Sequence, residues 1–275
     1  MIAARQIAFG RGAGSRGPTA KDYIQDGLVA MWDGIENAGW GTHDPSATVW
    51  KDLVNGVELQ LCPQASFSDN ALVISATEED VSTAYITIPN ATMVPIIVAA
   101  MGSGRTPYQC TVQTSFIASN AVMNGGVIVF DSNGGGGGVG INNGNIQYAY
   151  SAAPVKVKVG EVGDDLTVTH AFTLDVGESA EEITNNRIYC NGTEFIDANH
   201  TFPSTDYRYG RVLTRPCGVA ASTFNGFINC DKYMPNNKGG ICLDSTMRQI
   251  RIYSRALTAE EIAHNYSIDK ARFGL

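Results

Sequence analysis

From residue 26 onward, apolar residues come in short runs of strand length separated by turn-forming residues. The runs cover 28–32, 71–75, 84–88, 96–100, 109–116, 126–130 and 138–141, then 146–151, 155–159, 166–174, 187–190, 194–196 and 249–253. Their recurrence at about ten-residue intervals, with Gly and Asn between them, predicts an antiparallel β-sandwich. Asn143-Gly144 stands between GVGI and NIQYAY, and Asn191-Gly192 between NRIYC and TEFID. Both dipeptides suit two-residue hairpin turns, whose central residues take positive φ.

Near the end of the chain the period changes. Thr258-Ala-Glu-Glu261 has the form of a capping box, with Thr258 as N-cap and Glu261 three residues on. Ala259, Ile262, Tyr266, Asp269 or Lys270 and Phe273 follow at steps of three and four, and Gly274 is a suitable stop. The expected element is one amphipathic helix lying across an open end of the sandwich core. In the strand before it, Ile250 and Ile252 face one way and Arg251 and Tyr253 the other.

Before the first strand the pattern is absent. Residues 1–25 read as an extended arm, rich in glycine at Gly10, Gly12, Gly14 and Gly17. The domain proper is expected to span 26–275. Residues 1–21 carry Arg5, Arg11, Arg16 and Lys21 and no acid, whereas the remainder holds 15 basic against 27 acidic side chains. A body with a balance of −12 is a poor partner for nucleic acid, whose binding depends on neutralising phosphate. The basic arm itself suits either nucleic acid or an acidic patch on a neighbouring subunit. No apolar run approaches the ~18–20 residues of a membrane span, and MIAARQIAFGRG lacks the continuous apolar stretch of a secretion signal. The six cysteines are spread singly, with no CxxC pair, and are expected to be reduced core or loop thiols. Disulfides such as Cys217–Cys230 or Cys230–Cys242 would need an oxidising compartment.

Three segments carry a resemblance. DGLVAMWDGIENAGWGTHDPSATVWKDL at 26–53, HAFTLDVGESAEEITNNRIYCNG at 170–192 and RQIRIYSRALTAEEIAHNY at 248–266 resemble the laminin G-like, concanavalin A-like jelly-roll family. The resemblance implies an all-β fold: an antiparallel jelly-roll β-sandwich with one C-terminal helix, preceded here by the N-terminal arm. The wording of the two ends, ARQIAFGRG and NYSIDKARFGL, is similar to laminin G-like proteins of phages and prophages of gut bacteria. In that setting such proteins are virion components, in tail or head fibres or as decoration. A carbohydrate-binding module on a bacterial cell surface is the alternative, and a glycoside hydrolase using other carboxylates ranks third.

Candidate chemistry is sparse. Glucanases on this sandwich resemble one another in an E-x-D-x-x-E strand, which places two carboxylates about 5–5.5 Å apart for retaining hydrolysis. That pattern is missing, and Glu178, Glu181 and Glu182, like Glu78, Glu79 and Asp80, have other spacings. The four histidines share no ligand spacing, and the FDSNGGGGGVG run lacks the Lys and Ser/Thr of a phosphate loop, so a hairpin is expected there. The expectation is therefore a domain that is not an enzyme. Sugar binding needs an aromatic platform with polar neighbours. Trp40, in a polar Gly-rich loop, is the first candidate, and Tyr207 and Tyr209 are the next; Trp40 could equally be a structural anchor. Many members of the resembled family hold calcium near the rim, and Asp33, Asp44 and Asp244 are the acids to test for it, though none sits in a diagnostic motif. Host-surface glycans and other virion proteins are the expected partners. A homo-oligomer is left open, since no coiled-coil signature occurs.

Overall fold

The computed structural model describes residues 17–77, 83–84, 86–88, 108–122, 126–132, 135–142, 145–150, 156–176, 181–195, 225–228 and 241–275. The expected strand at 96–100 and the bulk of the arm fall outside them, as do Cys217 and Cys230. In chain order the strands are β1 (Leu28–Asp33), β2 (Val49–Lys51), β3 (Glu58–Gln60), β4 (Ala65–Phe67), β5 (Leu72–Ser75) and β6 (Ile86–Ile88). There follow β7 (Tyr108–Val122), β8 (Gly126–Ser132), β9 (Gly135–Asn142), β10 (Asn145–Tyr150) and β11 (Lys156–Glu161). The last are β12 (Asp165–Val176), β13 (Glu181–Cys190), β14 (Thr193–Glu194), β15 (Asn225–Ile228) and β16 (Ile241–Tyr253), before helix α1 (Ala259–Phe273).

Two antiparallel sheets make the expected all-β, jelly-roll-like sandwich. One has the order β14-β13-β12-β7-β16-β5-β4, with β1 also paired to β16; the other runs β11-β10-β9-β8-β15-β6. The long β16 serves two partners on one edge, β5 through residues 244–247 and β1 through residues 249–253. Register shifts between Asp244 and Gln249 separate the two halves. The glycine run is strand β9, paired with β8 and β10, so the hairpin reading holds and a phosphate loop does not.

At the first Asn-Gly dipeptide Asn142 pairs with Asn145, while Asn143 and Gly144 themselves lie outside the described residues. At the second, Asn191 (φ 51°) and Gly192 (φ 76°) join Cys190 to its partner Thr193. A Cβ on Gly192 would also come within 2.7 Å of the Tyr266 ring on α1. Gly192→Ala is therefore expected to cost about 1–3 kcal/mol, combining left-handed strain with overpacking; a thermal melt beside wild type measures it.

The capping box forms as read. Glu261 N–H donates to Thr258 Oγ1, Thr258 N–H donates to the Glu261 carboxylate, and Gly274 closes the helix in the left-handed conformation. The location of α1 differs from expectation: it covers the outer face of the larger sheet rather than an open end of the core. Tyr253, Ala171 and Tyr189 of that sheet pack with Ile262 of the helix and with Leu257. Arg251 and Tyr253 do lie opposite Ile250 and Ile252, yet all four are buried, because each side of β16 is covered.

Beneath the helix the sheet is polar. Asp33, Gln249, Ser115 and Thr167 form one cross-strand row, and Arg251, Gln113 and Thr169 the next; all are fully buried. The helix answers with Asn265 and Asp269. Asn265 donates to Gln113 Oε1 and to the Tyr253 hydroxyl, and Arg251 donates through Nη2 to both Asp269 oxygens, at 3.0 and 2.8 Å. Asn265 is thus sealed inside the fold.

The packed unit also begins earlier than residue 26. Thr19 caps a 3-10 turn at Ala20–Asp22, and Ala20 and Tyr23 are buried with Met31 and Leu53. Two apolar residues three apart were too little pattern to separate this turn from the arm. Cys62 and Cys190 are free thiols, and Cys110 is buried in β7. Among the described residues no helix is long and apolar enough to cross a membrane.

Candidate functional site

The loop after β1 is built inward before it points outward. Asp33 ends the strand, fully buried, and its Oδ1 accepts the Ile35 and Glu36 backbone N–H groups at 2.9 Å each. Gly34 donates its N–H to Arg248 O at 2.7 Å and lies against the β4–β5 turn. Asn37, also buried, clamps the loop's far limb: its Nδ2 donates to Asp44 O and its Oδ1 accepts Asp44 N–H. Between these anchors Gly39 and Thr42 form a bridge, and Gly39 (φ 140°) and Gly41 (φ 66°) flank Trp40. Positive φ on both sides lets the chain reverse within four residues, which sets the indole at the tip. Trp40 is 37% exposed, whereas Trp32 and Trp50 are fully buried.

A polar frame surrounds the indole. Lys21 Nζ lies 5.8 Å from its ring centroid, within cation–π range. Thr42 and His43 are exposed beside it, and the His43 ring nitrogen Nδ1 sits 3.0 Å from Ile35 O. Glu36 Oε1 accepts Ala20 N–H at 2.8 Å, and Oε2 accepts Gly41 N–H at 2.7 Å. Arg272, near the end of α1, donates to both Asp33 oxygens, to Glu36 and to the Tyr23 hydroxyl. Burial opposes the charge on Arg272, but Asp33 outweighs it and the guanidinium is held firmly protonated.

The sequence-predicted residues are scattered by this geometry. Trp40 stands exposed at the loop tip. Tyr207 and Tyr209 lie outside the described residues. The three acids considered for calcium do not assemble: Asp33 is neutralised by Arg272, and Asp244 Oδ1 accepts the Ser75 hydroxyl on another edge. Asp44 accepts the Ser46 N–H and hydroxyl, which hold its carboxyl below the usual range. Among the described residues no group of three His, Cys, Asp or Glu side chains could hold a metal. These three acids therefore do not fit a shared calcium site. Glu36, Asn37 and Arg272 shape the loop and were missed; only the Gly39-Trp40-Gly41 spacing hinted at a built tip.

No family model matches the chain, and no curated protein matches it in sequence. Solved structures do. A Trypanosoma rangeli sialidase in complex with sialic acid aligns at TM-score 0.55 and 15% identity, over 89% of this chain and 33% of that one. The binding domain of botulinum neurotoxin DC, in complex with rat synaptotagmin II, aligns at TM-score 0.53 and 10% identity, over 88% and 51%. A structure of botulinum neurotoxin type C, whose cell entry depends on two ganglioside molecules, aligns at TM-score 0.52 and 11% identity, over 88% and 51%. The shared feature is the fold. This chain spans a third of the sialidases it matches and half of the toxin chains.

The comparison corrects one expectation. A domain that is not an enzyme was inferred from the missing glucanase strand, but the matched structures include sialidases, which are glycoside hydrolases. The absence of one glucanase pattern is therefore no argument against catalysis on this fold. At these identities the likeness carries no catalytic residue across to this chain.

Proposed function

We propose that the domain binds glycans through the Trp40 loop and serves as a virion component of a phage, in a head or tail fibre or as decoration, attaching to host-surface sugars. The observation that carries the reading is Trp40: an indole held at a loop tip by a buried Asp33, Glu36 and Asn37 frame, with a lysine ammonium beside it. Binding residues are disproportionately carried on loops positioned by a rigid scaffold. The matched structures add support: one is a sialidase in complex with sialic acid, and another is of a toxin whose cell entry depends on two ganglioside molecules. The virion setting rests on the wording of the two ends and on the basic arm, which would reach acidic surfaces of neighbouring subunits.

A glycan array probed with the full chain, with and without calcium, tests the first part. Trp40→Ala should weaken any hit by at least about 30-fold, the effect of losing an aromatic hot spot, while leaving the melting temperature unchanged. An array with no hits would overturn glycan binding. Deleting residues 1–16, which spares the packed Ala20 and Tyr23, should abolish incorporation into particles; normal incorporation would overturn the anchoring role.

A further inference from the structure

Glu36 occupies an unusual position between two segments. One of its oxygens accepts the N–H of Ala20 in the arm's root, and the other accepts the N–H of Gly41, next to Trp40. The residue is 6% exposed, so its carboxylate oxygens lack water as an easy substitute partner. The two segments meet a second time where Lys21 lies over the Trp40 ring. Arg272 fixes the carboxylate from behind while also holding the Tyr23 hydroxyl. Displacing Gly41 would take the N–H from Oε2, and displacing Ala20 would leave Oε1 to Arg272; moving either loosens the group that holds the other.

We propose that the arm's root and the Trp40 loop open and close as one unit, with Glu36 as the positioning residue that joins them. Whatever engages the arm then sets how firmly Trp40 is presented, and by linkage a ligand on Trp40 changes the arm's engagement by the same factor. The proposal rests on the glycan reading only in treating Trp40 as the ligand contact. The coupling itself is measurable without a glycan.

Amide exchange of Ala20 and Gly41 in the full chain is the direct measurement. In wild type the two amides should exchange through one opening, at matching protection. Glu36→Gln keeps one acceptor and turns the other into a donor; it should raise exchange at both amides by about fivefold or more, the lower end of typical coupling between sites. Acceleration of one amide alone would overturn the proposal. If that variant does not fold, Ala20→Pro removes only the arm-side donor at a first-turn position that tolerates proline, preceded by an extended Thr19 (φ −114°, ψ 175°). Gly41 should then lose protection, and acrylamide quenching should rise, a signal that reports on Trp40 because the other two indoles are buried. Unchanged Gly41 protection in this variant would overturn the coupling as well. Coupled amides together with an empty glycan array would leave the coupling standing and remove the ligand assignment.

Discussion

Arg251→Met should destabilise the domain by about 3–5 kcal/mol, the cost of leaving a buried charge without its partner. Arg251 and Asp269 are both fully buried and pair with each other, and the guanidinium also lies 3.7 Å from the centroid of the Tyr23 ring. Methionine restores some of the packing but leaves Asp269 facing a dry sheet. Burial already raises the Asp269 carboxyl above its ordinary value, with Arg251 and the Tyr23 hydroxyl opposing the rise. Without Arg251 that opposition falls, so the folded variant takes up a proton more readily than the unfolded chain. A folded pKa above the unfolded one contributes stability that is present at low pH and lost as pH rises through it. The deficit measured by urea denaturation should accordingly be full at neutral pH and shrink on acidification toward the ordinary carboxylate range. A deficit independent of pH would show that lost packing, rather than the stranded carboxylate, sets the cost. The double variant with Asp269→Leu should recover most of the loss, since an apolar pair of similar volume can replace a buried ion pair.

Gly34→Ala is expected to have the second large effect, about 3 kcal/mol, at the top of the usual range for overpacking. A Cβ there would lie 2.5 Å from Ala71 Cα and 2.7 Å from Asn70 O. These are backbone atoms, so no side-chain rotation relieves the clash; the Trp40 loop and the β4–β5 turn must separate. Gly34 is also bonded to Arg248 O, which ties the same shift to β16. A lowered melting temperature accompanied by increased acrylamide quenching of Trp40 is the expected pair of results. A stable protein with unaltered quenching would mean the loop does not depend on this close approach.

Much of the fold could be read from the chain because the decisive signals were local. The Thr258–Glu261 box and Gly274 bracket α1 within a few residues of sequence, and Asn191-Gly192 dictates its own turn. Strands β2, β3 and β4 escaped notice because three residues cannot display a period; β3 shows a single buried Leu59 between two exposed neighbours. The stripe on α1 holds at Ile262 and Phe273 and, of the two alternatives between them, at Asp269. Asn265 was left out of it, yet is buried against Gln113 on β7 and Tyr253 on β16. Polar residues look solvent-facing until the polar surface that receives them is known. The candidate site divides the same way. Trp40 between two glycines is visible locally, whereas Arg272 meets Asp33 and Glu36 from 239 and 236 positions away.

The pairing of β1 with β16 bears on how the polypeptide leaves the ribosome. Its Gly27 carbonyl receives the Ser254 hydroxyl across 227 positions, and the strand's sheet neighbour is β16. At roughly 5–20 residues per second of synthesis, β1 would wait on the order of ten to forty-five seconds for that neighbour. Throughout that interval its free edge and its apolar Leu28–Trp32 side chains are open to other nascent chains. Yield in a heterologous host should therefore depend on holdase chaperones and on low temperature more than on the stability of the finished domain.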